Sequence, residues 1–433
     1  MKSLADIAAA LQGYDPQALS VSQVGEFLAQ LTQPLPTHEA QDVPLFEALG
    51  RVLAQDVISP IHVPPHNNSA MDGYAFDGSQ LSPAQALHLR VVGTALAGKA
   101  WPGRVQAGEC LKIMTGAILP EGLDTVAPLE LCQIQTEADT ATATANTTIT
   151  VPAGVFQRGD NRRLQGEDLM QGHAALTAGA HLTPAALGLV ASLGQATVRV
   201  HRRLRVAYFS TGDEILSLGQ APREGAVYDS NRFTVFGLLT RMGCEVLDMG
   251  VVRDDPVLLE SAFCQAAAKA DAIITSGGVS VGEADFTKAM MKKLGDVAFW
   301  KIAMRPGRPM AVGRLGTSVL FGLPGNPVAV MVTFLAFVRP ALLRMMGSTA
   351  SAPPLLRAKS QEALRKKPGR TEYQRGTVST AADGSLQVRT TGNQGSGVLS
   401  SMVQGNGLIV LHHSQGNVAI GDEVDVMVFE GVV

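Results

Sequence analysis

The chain is 433 residues long, with 46% hydrophobic and 17% charged side chains, which allows several cores and suggests roughly two to four domains. Its net charge of −3 gives no global basic field for nucleic acid or anionic lipid, so any anion site has to be built locally. The four cysteines, Cys110, Cys132, Cys244 and Cys264, form no CxxC pair and sit in apolar surroundings, which predicts buried free thiols in a reducing compartment.

Leu4, Ile7, Ala8 and Leu11 carry helical spacing before a break at "GYDP", and a second helical pattern runs over 21–31. The opening "LADIAAAL" is too short and polar for a signal peptide. The longest apolar stretch, "VAVMVTFLAFV" (328–338), is about half a membrane span, so a cytoplasmic protein without membrane contact is expected. Residues 56–165 alternate short β-like runs ("LRVVGTAL", "CLKIM", "TVAPLEL", "TTITV") with Gly/Pro turns, and "ATATANTTIT" (141–150) reads as an exposed turn between strands. Thr183, Pro184 and Gly194 mark a helix over 183–194.

From 204 to 346, strands and helices alternate: "LRVAYFS", "NRFTVFGLLTRMG", "CEVLDMG", "PVLLESAFCQAAAKA", "DAIITS", "EADFTKAMMKKLG", "VAFWKI", "SVLFGL" and a closing helix "PVAVMVTFLAFVRPALLRMMG" capped by Asn326. That alternation predicts a doubly wound, mostly parallel α/β sheet. After Pro353–Pro354 the pattern returns to β ("LQVRTT", "GLIVLHH", "DEVDVMVF"), which fits a small barrel or sandwich.

In an open α/β sheet, ligands bind outside the carboxyl ends of the strands. Five polar loops fall there: "STGDE" (210–214), "RDDP" (253–256), "SGGVSVGEAD" (276–285), "RPGRP" (305–309) and "LPGNP" (323–327). They gather Asp213, Glu214, Asp254, Asp255, Glu283 and Asp285 with Lys288, Lys301, Arg305 and Arg308. Each loop alone has a plain reading; "RDDP", for instance, is also a helix N-terminus. Together, a Gly277–Gly278 turn, cations and carboxylates fit a phosphate ester or anhydride bridged by Mg²⁺. His62 and His66 are four apart, but "HVPPH" cannot be helical and is no zinc pair, and no GxGxxG or P-loop fingerprint occurs.

The motifs "NNSAMDGYA" (67–75), "IMTGA" (113–117), "NRRLQGED" (161–168), "FSTGDE" (209–214), "RDDP", "SGGVSVGEADFTK" (276–288), "LPGNP", "EYQRG" (372–376) and "GNQGS" (392–396) occur in one order. Together they resemble the molybdopterin molybdenumtransferase family (MoeA), which includes the gephyrin E-domain, over about residues 20–430. The resemblance implies insertion of molybdate into adenylylated molybdopterin with Mg²⁺, releasing AMP and molybdenum cofactor. It also implies a homodimer, with the upstream adenylyltransferase as a candidate partner. The implied fold is multidomain, α/β plus β: an elongated linker domain in two parts (19–56 and 161–200), a β insertion (57–160), a molybdopterin-binding α/β domain (201–346) and a C-terminal β-barrel (347–433).

Carried over by motif, Asp254 and Asp285 would hold Mg²⁺ and phosphates, Glu214 would shape the same pocket, and Lys301 and Arg305 would handle the oxyanion. Gly277, Gly278, Ser280 and Pro324 would line the substrate site, with Arg375 and Ser396 reaching in from the C-terminal domain. Asp72, Thr115 and Asp168 would serve the site of the other subunit; the plain alternative is that Asp72 only satisfies nearby N–H groups in a turn. Two departures stand out: Arg305 where the family often has lysine, and Ala329 where it commonly has serine. Two rival readings remain. An adenylyltransferase of the same pathway shares the α/β fold but typically carries "GGTG" where this chain has "GGVS" (277–280); a non-catalytic scaffold would want a long interaction linker, and none is evident.

Overall fold

The computed structural model describes residues 2–138, 145–279 and 286–429; Ser280, Glu283 and Asp285 lie outside the described residues. The chain divides into two compact units. The first comprises Met1–Gln55, Ala178–Thr183 and Thr197–Val433, and the second Asp56–Thr177 and Pro184–Ala196.

The first unit opens with helices Leu4–Ala10 and Val21–Leu31, each started by a capping box, Ser3 with Asp6 and Ser20 with Gln23. They bury Leu4, Ile7, Val24, Phe27, Leu28 and Leu31 in the largest core. Next in this unit is the α/β region: β1 (Arg205–Thr211), α1 (Ser230–Arg241), β2 (Glu245–Val252), α2 (Pro256–Lys269), β3 (Ala272–Ser276), α3 (Phe286–Leu294), β4 (Asp296–Lys301), β5 (Pro309–Leu315) and β6 (Ser318–Leu323). The sheet order is β2-β1-β3-β6-β5-β4. The first four strands are parallel, and β5 runs antiparallel to both β6 and β4. β3 and β6 are buried throughout, with no alternation, because both faces of the sheet are covered.

The expected single strand "SVLFGL" is thus half of a hairpin. Leu315 pairs with Ser318, leaving Gly316 (φ +58°) and Thr317 as a two-residue turn. The preceding strand "PMAVGRL" was hidden by Gly313 and Arg314, which break its apolar run. The five polar loops still share one edge. β5 reverses direction, so "RPGRP" leaves β4 and enters β5 at the end where β1, β2, β3 and β6 finish.

The closing helix is also different in detail. Pro327–Thr333 and Arg339–Met345 are α-helical, joined by a π-helical turn at Phe334–Val338. Pro340 has no N–H to offer the carbonyl one turn back, so the ladder widens there. By length and composition, Pro327–Met345 could cross a membrane, but Val328, Val330, Phe334, Phe337, Val338 and Leu342 are buried in the core of this unit.

The remaining strands, β7 (Leu356–Ser360), β8 (Thr371–Thr380), β9 (Leu386–Thr390), β10 (Gly407–Leu411) and β11 (Glu423–Val428), close a five-stranded barrel. β8 pairs with β9 and β10, β9 with β7, β7 with β11, and β11 with β10. Its interior is Ala358, Leu364, Val388, Ile409, Leu411, Val418, Val424 and Val426.

The second unit contains a six-stranded sheet in the order Thr125–Pro128, Gly73–Phe76, Glu109–Ile113, Leu87–Ala95, Ala145–Val151, Gln133–Ala138. The tract expected to be a turn is instead a strand from Ala145 onward, because its threonines and Ile149 pair in register with both neighbours; residues 139–144 lie outside the described residues. Helix Pro184–Ser192 falls where its signals put it. Of the four free cysteines, Cys110 and Cys244 are buried, but Cys132 is half-buried and Cys264 is exposed, on the face of α2 away from Leu259, Ala262, Phe263 and Ala266.

Candidate active site

The strand order reverses its sense at β1, which has β2 on one side and β3 on the other, so a crevice forms where their exit loops part. A cleft of ≈ 1000 Å³ lies at this edge of the first unit. Among the expected residues, Glu214, Gly277, Gly278, Arg305, Pro324 and Ser396 line it.

The Gly277–Gly278 turn is dictated by space. Their φ angles are +90° and +64°, in the left-handed region. A Cβ on Gly277 would lie 2.4 Å from the Thr211 carbonyl oxygen, and one on Gly278 would lie 2.4 Å from Thr287 Cβ. The Gly277 N–H donates to Leu323 O at 3.2 Å, so of this pair Gly278 is the one whose N–H has no partner among the described residues.

One arginine lines the cleft and a second is buried near it. Arg305 follows β4 and is exposed at the cleft wall. Arg375, on β8, is 1% exposed. Its guanidinium donates to Ser401 Oγ (2.9 Å), Asn393 O (3.2 Å) and Gly395 O (2.9 Å), and so shapes the loop that presents Ser396. Neither arginine has a carboxylate partner among the described residues. Burial, and then the nearby charge of Arg305, weaken the hold of Arg375 on its proton. Asn326 occupies the expected N-cap position but does not cap with its side chain. Its Nδ2 donates to Ser396 Oγ (3.0 Å) and the Val328 N–H donates to Ser396 O (3.1 Å), which tie this loop to the helix start. Ala329 also lines the cleft, at the position where serine was expected from the resemblance. Lys301 is half-buried at the end of β4, opposite Pro309. Lys288 turns its ammonium to the Phe299 ring, 5.5 Å from the centroid.

On the acidic side, Glu214 folds back over Gly212, where an added Cβ would meet Glu214 Oε2 at 2.5 Å. The Asp254 N–H donates to Asp213 Oδ1 at 3.4 Å, which ties the exit loops of β1 and β2 together. Asp255 caps α2 through the N–H groups of Val257 (2.9 Å) and Leu258 (3.0 Å), which is its plain reading. Among the described residues no group of three or more acidic, histidine or cysteine side chains converges.

Sequence reading passed over three other groups on the cleft wall. Thr211, Asp229 and Asn231 are 3%, 3% and 8% exposed, and Thr211 Oγ1, Asp229 Oδ2 and Asn231 Oδ1 are buried without a hydrogen-bond partner among the described residues. The signal was present in "VYDSN" (227–231), where two short acidic and amide side chains flank a helix start, but a cap explains such a pattern on its own.

In the second unit, Asp72 Oδ1 accepts from the Thr115 N–H (2.6 Å) and Oγ1 (2.7 Å), and these bonds hold the Asp72 carboxyl below the usual carboxylate range. Both residues are exposed, as is Asp168, whose backbone N–H donates to Val63 O at 3.0 Å. The Asp72–Thr115 pair is therefore rigid and displayed on its own unit's surface.

Comparison with known proteins adds an independent line. Residues 19–194 match the MoeA N-terminal region (domain I and II), 207–344 a "probable molybdopterin binding domain", and 357–429 the MoeA C-terminal region (domain IV). A molybdopterin molybdenumtransferase of Haemophilus influenzae is 43% identical over 397 residues, covering 92% of this chain and 95% of its own. One from a Nostoc species is 33% identical over 428 residues, covering 96% and 95%. The crystal structure of a molybdopterin biosynthesis moeA protein from Pyrococcus horikoshii superposes with a TM-score of 0.78 at 25% identity, covering 95% of this chain and all of that one.

Proposed function

The chain belongs to the MoeA family of molybdopterin molybdenumtransferases, enzymes of molybdenum cofactor biosynthesis, and from this premise we propose that its cleft takes adenylylated molybdopterin and molybdate and releases AMP and molybdenum cofactor. The observation that carries the reading is Arg305 on the wall of a glycine-floored cleft with the buried Arg375 charge near it, and no carboxylate partner for either among the described residues. Two like charges close together are unfavourable, and an oxyanion held by Arg305 offsets that cost through charge-assisted hydrogen bonds. Arg305 presents the exposed fork to molybdate or phosphate oxygens, Arg375 and Asn326 hold Ser396 in place beside it, and Gly278 offers a backbone N–H.

The donors at this edge suit Mg²⁺, which takes one or two carboxylates plus phosphate oxygens and needs no all-protein cage. Asp254, with Asp285, would hold it. Bound there, Mg²⁺ would neutralise phosphate charge and polarise the anhydride. We further place the enzyme in the cytoplasm as a homodimer in which Asp72, Thr115 and Asp168 serve the other subunit's cleft, with substrate delivered by the upstream adenylyltransferase. The decisive assay mixes the protein with adenylylated molybdopterin, Mg²⁺ and molybdate. Molybdate-dependent release of AMP is expected; ATP consumption with molybdopterin, or no turnover at all, overturns the assignment.

A further inference from the structure

Resting on that molybdopterin reading of the cleft, we propose that Asp229, Asn231 and Thr211 form the subsite that recognises the pterin ring, by accepting hydrogen bonds from its N–H and amino groups. Asp229 spends Oδ1 on the Arg232 N–H (3.1 Å) at the start of α1, which leaves Oδ2 buried and, among the described residues, unpaired. Asn231 donates Nδ2 to Gly325 O (2.7 Å). A carbonyl can only accept, so this bond fixes the amide with Oδ1 as the remaining atom, also buried and unpaired among the described residues. Thr211 Oγ1 is the third such atom.

Buried acceptors are retained where a partner arrives, since leaving them unmade is costly. The Asp229 and Asn231 oxygens can only accept, so their partner has to be a donor, and the Thr211 hydroxyl is able to accept alongside them. Molybdate and phosphate oxygens are acceptors and belong with Arg305, at the cationic end. Within the substrate, the adenine, the ribose hydroxyls and the pterin carry donors, and AMP alone presents the first two. Adenine offers one amino group flanked by ring acceptors, which clash with neighbouring carboxylate and amide oxygens. A pterin offers an amino group beside a ring N–H, a run of donors suited to a wall that carries more than one acceptor. The cleft is thus polar end to end: acceptors for the pterin, the Arg305 guanidinium for the oxyanions.

Asp229→Asn tests this, because asparagine still caps α1. Molybdopterin and AMP are titrated separately into the full-length wild type and variant, at low and high Mg²⁺, with Tm recorded. Molybdopterin should bind about 10- to 100-fold more weakly to the variant, with AMP affinity and Tm unchanged. Thr211→Val, which removes a hydroxyl with no protein partner, should weaken molybdopterin several-fold in the same way and serves as the test where Asp229→Asn does not fold. Unchanged molybdopterin affinity in the folded variants overturns the proposal. So does an equal loss of AMP binding, which would put the nucleotide there, or a loss restored by excess Mg²⁺, which would make the three oxygens a cation site. A wild type that binds no molybdopterin instead removes the functional reading beneath it.

Discussion

Arg305 illustrates what a single side chain can decide. It is exposed on the cleft wall beside the buried Arg375, and its fork is free of carboxylates among the described residues. A guanidinium grips two oxygens of an oxyanion in a plane, whereas an ammonium is a point charge. Arg305→Lys should therefore shift the molybdate concentration for half-maximal AMP release while leaving affinity for adenylylated molybdopterin nearly unchanged. Equal shifts in both would reduce Arg305 to a general source of positive field. Asp254 is the matching acidic case. Asp254→Ala should lower AMP release by roughly 10²–10³-fold at saturating Mg²⁺, the loss expected for one electrostatic stabiliser, with Tm unchanged. Wild-type turnover in that variant would end its assigned role.

At the scale of elements, the site depends on turns more than on helices. The glycine turn after β3 passes so close to Thr211 and Thr287 that side chains are excluded. Gly278→Ala would both hold alanine at φ +64° and drive its Cβ to 2.4 Å from Thr287 Cβ. The backbone conformation alone costs about 1–2 kcal/mol, so Tm should fall and AMP release should fall with it. Gly325→Ala is the control: its Cβ would meet nothing nearer than Gly277 Cα at 4.0 Å, and Tm should hold. A Gly278→Ala protein as stable as wild type would mean that the turn can move aside. Arg375 works at this scale too. It holds Asn393 and Gly395 by their carbonyls, and through them the segment bearing Ser396.

At the scale of the whole molecule, the question is whether one subunit completes another's site. The Asp72–Thr115 pair is rigid and exposed on the second unit, a placement suited to a partner and equally to a stable turn. Mixing two inactive variants, Asp72→Ala and Asp285→Ala, separates these. In a twofold dimer with shared sites, a mixed dimer has one cleft with both defects and one with neither. After subunit exchange, activity should return to about a quarter of wild type, since about half the dimers are mixed and each has one intact cleft. No recovery, with exchange verified by mass, would confine each site to a single subunit.

The sequence by itself determined the elements whose signals are local. The helix start at Thr183–Pro184, the helix N-terminus at "RDDP", the buried run of β1, and the five polar loops at strand ends each rest on neighbours within one turn of chain. The family could be read from nine short motifs in order. The tertiary structure alone decided what depends on distant partners. The Pro309–Leu315 strand was hidden because its apolar run is broken by Gly313 and Arg314, and only pairing with both β4 and β6 makes it a strand. Arg375 was legible as a cation, yet the carbonyls that bury it arrive from 18 to 20 residues away. Asp229 reads as a helix-start residue because its local bond is a cap, and Asn231 sits two residues on in the same helix start. Their remaining oxygens become conspicuous only in the packed chain, where Asn231 bonds Gly325, 94 residues away, and both oxygens are buried. Unpaired burial is a property of the packed chain, so no local pattern could announce it.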